Sequence, residues 1–514
     1  MPAQARAAWW SGRRGAGMDL QEQPIEVLQS WMEDAQATAV DIVEGYLGRI
    51  EALDRDGPTL RSVIEVNPDA LDIARQLDRE RGERGPRGPL HGIPILVKDN
   101  IDTGDAMMTT AGSLALEGNL APSDAFLVSR LRDAGAIILG KANMSEWAYF
   151  RSTRGCSGWS SRGGQVRNPY ALDRNPCGSS SGSGVAVSAN LTAAAIGTET
   201  DGSITCPAAV NGVVGLKPTV GLVSRAGIIP VAESQDTAGP MTRTVADAAI
   251  VLSALAGADA RDPATAAGAG KASADYRAFL SEDALRGARL GVDRSAFGKH
   301  EGADGIAEAS LEVLRELGAE IVADVDLSSV GLFSQEEFLV LMVELKKGLN
   351  AYLDAHPKAP VRTLADVIAF NRAHAGEVMP YFGQELLEMS EAKTDADEEA
   401  YHAARAACLR RARDEGIDKA MREHRLDAIV GPTTAPAWVT DPIDGDRILG
   451  LSSGPAAVAG YPHITVPAGS VHGLPVGLSF FAGPFAEGTL LGFAHAFEQA
   501  SHARLAPTFL ESVA

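Results

Sequence analysis

Apolar residues after Thr38 recur three and four positions apart: Ile42, Val43, Tyr46, Leu47, Ile50 and Leu53 share one helical face. Asp41, three residues past Thr38, completes a helix-start signal. A second helical stretch is predicted after Asn67-Pro68-Asp69, followed by a charged Gly/Pro connector over residues 81–88. The period then changes. Ile93 to Val97 is an unbroken apolar run too short for a helix, so it reads as a buried strand ending in Lys98-Asp99-Asn100. Ser123-Asp124 opens another helix through Leu131, Gly135 closes it, and Ala136 to Leu139 reads as the next strand. Strands that alternate with helices predict a largely parallel sheet covered on both faces.

Residues 150–185 break this rhythm. They are dense in Gly, Ser, Asn and Pro, and a loop of that length in a folded domain is either functional or disordered. Strand and helix patterns resume at Leu290-Gly291-Val292, Ile306 to Leu317 and Glu320 to Val325. Residues 334–425 are helical and charged, and read as an insertion or cap. The chain returns to strands at Ala428 to Val430, Ile464 to Val466 and Val476 to Phe480. This out-and-back order predicts one large α/β domain over residues 19–510. Its mixed central sheet is covered by helices on both faces and carries the 334–425 helical insertion. Residues 1–18 read as a disordered extension, and Met18 is an alternative start.

Composition narrows the function classes. The 514 residues are 45% hydrophobic, enough for a large core, and their net charge of −21 repels phosphate backbones and anionic lipid. Nucleic acid and membranes are therefore not expected partners, and the chain is expected to act as a monomer or homodimer. Arg13-Arg14 is followed by the acidic, polar stretch Asp19 to Glu26 and not by an apolar segment, so no export signal is read and a cytoplasmic protein is expected. Cys156, Cys177, Cys206 and Cys408 have no metal-type spacing and are expected to be free buried thiols. The scattered histidines include no HExxH, so neither metal nor cofactor is expected.

Candidate chemistry concentrates between Cys177 and Pro218, where two serine-bearing glycine loops flank a small-residue helix and a buried strand. Gly202 before Ser203 permits the close backbone approach by which N–H groups hold an oxyanion. Together, HGIPILVKDN (His91–Asn100), CGSSSGSG (Cys177–Gly184) and GTETDGSI (Gly197–Ile204) resemble the amidase-signature family. In that family the catalytic set is a lysine after the first buried strand, a first loop serine, and a second serine twenty-four residues on. The resemblance, which runs from the first helix to Gly473–Leu491, therefore assigns Lys98, Ser179 and Ser203. Ser203 is implied as nucleophile, Ser179, after a cis peptide bond, as relay, and Lys98 as base. The N–H groups of Thr200, Asp201, Gly202 and Ser203 are the implied oxyanion hole. Lys98 must be neutral near pH 7 for that role, which means a downward pKa shift of roughly three units from about 10.4, about 4 kcal/mol that burial has to supply.

Many family members carry Gly-Gly before the nucleophile and an arginine two residues after it. Here Asp201-Gly202-Ser203 is followed by Ile204-Thr205, so an acid is added beside the hole and a cation removed. That weakens a second implied reading, the glutaminase-type component of a tRNA-dependent amidotransferase. Residues Gly197–Met241 and Ser157–Tyr170 instead resemble the branch that hydrolyses the C-terminal carboxamide of peptides, which implies a small amide or peptide amide as substrate and release of ammonia from peptide or amino-acid amides. A third reading stays open: Gly178 to Gly182 fits G-x-S-x-G with Ser180 central, the elbow of an α/β-hydrolase esterase, with His463 or His472 downstream as base.

Overall fold

The computed structural model describes residues 19–323, 325–327, 329 and 334–513. The extension over residues 1–18, including Met18, lies outside them. Thr38 caps the helix Ala39–Arg49 reciprocally with Asp41, and Ile42, Val43 and Tyr46 are buried on its inner face. An earlier helix, Ile25–Glu33, was not legible in the pattern. Its start is tied down by Asp247, whose Oδ1 accepts from Ile25 N–H at 2.9 Å.

Among the described residues thirteen strands follow one another as β1 (Val63–Val66), β2 (Pro94–Lys98), β3 (Ile137–Ala142), β4 (Trp159–Ser160), β5 (Gly164–Gln165), β6 (Ala194–Glu199) and β7 (Val214–Lys217). After them come β8 (Thr237–Thr242), β9 (Arg289–Val292), β10 (Glu320–Val322), β11 (Ala428–Pro432), β12 (His463–Val471) and β13 (Leu474–Phe481). Eleven of them form one sheet in the order β1-β3-β2-β6-β8-β7-β12-β13-β11-β9-β10, and β4 and β5 pair separately. The sheet is mixed, not largely parallel. β2 runs parallel to both β3 and β6, and β9 to both β10 and β11, but β6-β8-β7-β12-β13-β11 is antiparallel throughout. The difference comes from β8 and the β12–β13 hairpin, which pair without a crossover helix.

Helices pack along the sheet: Phe126–Asp133 on β3, Ser181–Ser188 on β6, Val245–Leu255 on β8 and Glu487–Ser501 on β12. Every residue of β2, β3, β6 and β11 is buried, as expected of strands covered on both faces. Burying Ile95, Leu96 and Val97 contributes about 1.5–3 kcal/mol each. Residues Ser334–His424 hold helices and their connections, and the longest is Ser334–Ala355. Leu345, Leu349, Leu353, Leu364 and Leu387 of this region form a second apolar cluster with Met144, Trp147 and Phe150 of the first half. No described helix is long and apolar enough to cross a membrane.

Candidate active site

The parallel pair β2/β6 delivers Lys98 and Thr198 to the same sheet edge, beyond the carboxyl ends of the strands, where open α/β sheets place their ligands. Lys98 is fully buried. Its Nζ lies 2.8 Å from Ser179 Oγ, 2.9 Å from Ser180 Oγ, 3.0 Å from Thr198 O and 2.9 Å from Thr198 Oγ1. Burial lowers its pKa to about 7, against the opposing charges of Asp236 and Glu199. The amine is thus within reach of neutrality at physiological pH.

The two serines beside it have different surroundings. Ser180 Oγ donates to Thr198 O at 3.0 Å and accepts from Thr198 N–H at 3.1 Å, so its proton is committed to a carbonyl. Ser179 Oγ touches Lys98 alone among the described residues. Its peptide bond to Gly178 is cis. Both serines are fully buried, whereas Ser203 retains 8% exposure.

Ser203 lies in the loop after β6. Ser180 N–H donates to Ser203 O at 3.0 Å, which ties this loop to the first. The Ser203 hydroxyl makes no hydrogen bond to Ser179 or to any other described residue, so the structure joins Lys98 to Ser179 and leaves the last link open. Gly202 takes φ +78°, and a Cβ there would meet Leu451 and Ser453 side chains at 2.9 Å. The N–H groups of Thr200, Asp201, Gly202 and Ser203 donate to no acceptor among the described residues. Those of Ile204 and Thr205 are taken by Glu199 Oε2, at 2.7 and 2.9 Å. The loop therefore leaves four consecutive N–H donors without a described acceptor and anchors the next two on Glu199.

The expectation of four free thiols is corrected here. Cys177 and Cys206 form a disulfide, with Cα atoms 6.1 Å apart across 29 residues of sequence. Spacing rules miss it because the helix Ser181–Ser188 and β6 fold the second serine loop back onto the first. Cys156 and Cys408 are buried and in no disulfide. Among the described residues no group of three or more His, Cys, Asp or Glu converges on a metal-sized space.

Several residues around the site carry no sequence motif. Glu199 anchors the loop, and Asp236 accepts from Thr200 Oγ1 at 2.6 Å. Ser453 donates to Asp201, and Glu337 of the insertion lies within hydrogen-bond reach of the same carboxyl. Glu199 alone had a local signal, an acid shortly before a short helix. The esterase reading finds none of its parts. Ser180 is enclosed, His463 bonds Ser479 Oγ at 2.6 Å, and His472 is exposed in the β12–β13 turn.

A family model, described as Amidase, matches residues 41–491. The chain belongs to the amidase signature family. It is 52% identical to the peptide amidase of Stenotrophomonas maltophilia, with TM-score 0.91, covering 95% of this chain and 99% of that one. It is 42% identical to a probable amidase of Arabidopsis thaliana over 97% of this chain and 94% of that protein. The A-type component of the glutamyl-tRNA(Gln) amidotransferase of Methylococcus capsulatus matches at 37% identity over 92% of this chain and 96% of that protein. The fold class, a single amidase-signature domain around a mixed sheet, is that of these relatives. The protein is an amide-cleaving hydrolase.

Proposed function

We propose that this amidase hydrolyses the C-terminal carboxamide of peptides or amino-acid amides, releasing ammonia, with Ser203 as nucleophile, Ser179 as relay and Lys98 as base. The supporting observation is a buried amine with pKa about 7, 2.8 Å from a hydroxyl that has no other described partner. The likeness to a peptide amidase supports the substrate class.

In the first half-reaction the Lys98 lone pair takes the Ser179 proton while Ser179 Oγ takes that of Ser203. Ser203 Oγ bonds to the carboxamide carbon, and the carbonyl electron pair moves to oxygen, held by the N–H groups of residues 200–203. Collapse breaks the C–N bond, and Ser179, reprotonated from Lys98, gives its proton to the leaving nitrogen as ammonia departs. Water repeats the sequence on the Ser203 ester and releases the acid. No cofactor enters any step.

We place the enzyme in the cytoplasm as a monomer or homodimer. The Cys177–Cys206 bond is the feature that pulls against a reducing compartment, and counting free thiols on native protein decides that point. The activity test is ammonia release from a peptide amide, an amino-acid amide, glutamine, a fatty amide and an aryl amide. Preference for the first two is expected. Preference for glutamine, together with a stable complex with partner proteins, would replace this reading with the amidotransferase one.

A further inference from the structure

Asp201 stands where many family members have glycine, two residues before Ser203, and is half-buried. Ser453 Oγ, just before the helix Gly454–Ala459, donates to its Oδ1. On its other side its carboxyl group meets that of Glu337, in the first turn of the insertion helix Ser334–Ala355. Glu337 Oε1 accepts from Gln235 Nε2 at 3.0 Å, and the same nitrogen reaches Thr200 O at 3.4 Å. Neither acid forms an ion pair among the described residues; the neighbouring Glu336 is the one taken by Arg411, at 3.0 Å.

Two carboxyl groups that touch with no cation between them cannot both ionise cheaply, and one shared proton turns the repulsion into a hydrogen bond. We propose that Asp201 and Glu337 are positioning residues: the proton they share clamps the insertion helix onto the oxyanion loop and holds its N–H groups in line with Ser203. Loss of that proton releases the clamp.

Other groups facing the pair set which acid holds the proton. Glu199 and Lys217 face Asp201 from the ends of β6 and β7, raising and lowering its pKa in turn. Gln235 faces Glu337 from the loop before β8, and its amide favours the charged form. The Cys408 thiol, on the helix Glu398–Ala412, is kept neutral by burial. Glu336 is neutralised by Arg411. Asp236 faces Thr200 in the same loop. Burial, and then the charge of Asp201, raise Glu337 above neutrality, while Ser453 and Lys217 offset part of the rise in Asp201. Glu337 therefore carries the proton at pH 7 and donates it to Asp201.

The test rests on the proposed Ser203 chemistry only for its assay. Ammonia release from a peptide amide is followed from pH 6 to 10 for wild type, Glu337→Gln and Glu337→Ala, with melting temperatures at each pH. Wild-type kcat is expected to fall on the alkaline side with a midpoint near 8. Glu337→Gln should lose this alkaline fall, because its amide N–H bridges Asp201 without titrating. Glu337→Ala should lose about ten-fold in kcat at pH 7 with KM within about two-fold. An unchanged alkaline limb in Glu337→Gln overturns the clamp, as does wild-type kcat in Glu337→Ala. Should the alanine variant unfold, the glutamine profile decides alone. Activity surviving in Ser203→Ala would instead refute the catalytic reading, so the two failures are distinguishable.

Discussion

Two strand ends in this molecule each bury a lysine completely, yet the atoms around the two amines differ in kind. Lys98 ends β2 against four neutral oxygens of Ser179, Ser180 and Thr198. Lys217 ends β7, donates to Pro218 O at 3.2 Å, and faces the carboxylates of Glu199, Glu487 and Asp201. Burial lowers both, to about 7 and about 8. The charges around Lys217 hold its ammonium in place, and it in turn helps burial push His463 down to about 3. Burial alone does not make a base. An amine becomes one when an atom it touches carries a proton to yield: the hydroxyls around Lys98 do, whereas the carbonyl oxygen beside Lys217 does not.

The largest effect that tests this contrast is at Ser203, the proposed nucleophile. Ser203→Ala should lower kcat by about 10⁴-fold or more and abolish labelling by a fluorophosphonate. Labelling that persists on Ser180 would return the esterase reading and leave Lys98 without a role.

Next come paired lysine replacements, which should separate activity from stability. Lys98→Met is expected to lose about 10³-fold in kcat. It should also melt higher than wild type in acid. Lys98 has a folded pKa below its unfolded one, so the cost of burying its charge is full below pH 7 and shrinks as pH rises towards 10.5. The melting advantage of the methionine variant should shrink in step. Lys217→Met should instead leave activity per folded molecule within about ten-fold, because among the described residues the Lys217 amine hydrogen-bonds only the Pro218 carbonyl. Equal activity losses in the two variants would erase the distinction.

The chemistry was more legible in the sequence than the architecture was. Lys98, Ser179 and Ser203 sit in short motifs whose spacing survives any detail of the fold, and the structure puts Lys98 against Ser179. Helix Ala39–Arg49 was readable because a cap and a periodic face agree. β8, Thr237–Thr242, was not: TAGPMT has neither alternation nor a β-branched run, and it is a strand because β6 and β7 flank it. The same holds for the residues that shape the loop. Glu337, Ser453 and the Cys177–Cys206 bond meet across separations that no local pattern encodes.

A smaller effect is the acid limb of the pH profile. With Lys98 as base, kcat/KM should fall about ten-fold per pH unit below about 7, with a single proton involved. A limb near 4 would point to a carboxylate base, and the lysine comparison would lose its premise.

Glu199 gives the finest test, because its field reaches both lysines. Its Oε2 accepts from Ile204 and Thr205 N–H, whereas its Oε1 is buried without a hydrogen-bond partner. Its charge raises the pKa of Lys98 and of Lys217 alike. In Glu199→Gln the amide oxygen can still accept from the loop, so KM should hardly change. The amide nitrogen, placed where Oε1 was, becomes a buried donor without a described acceptor and costs about 1–3 kcal/mol of stability. Removing the charge lowers the pKa of Lys98 further, so the acid limb of kcat/KM should move below 7, by a fraction of a pH unit. A limb that stays fixed would mean that the neutral amine is set by desolvation alone. A limb that moves up would mean that Glu199 acts on the site through the shape of the loop and not through its charge.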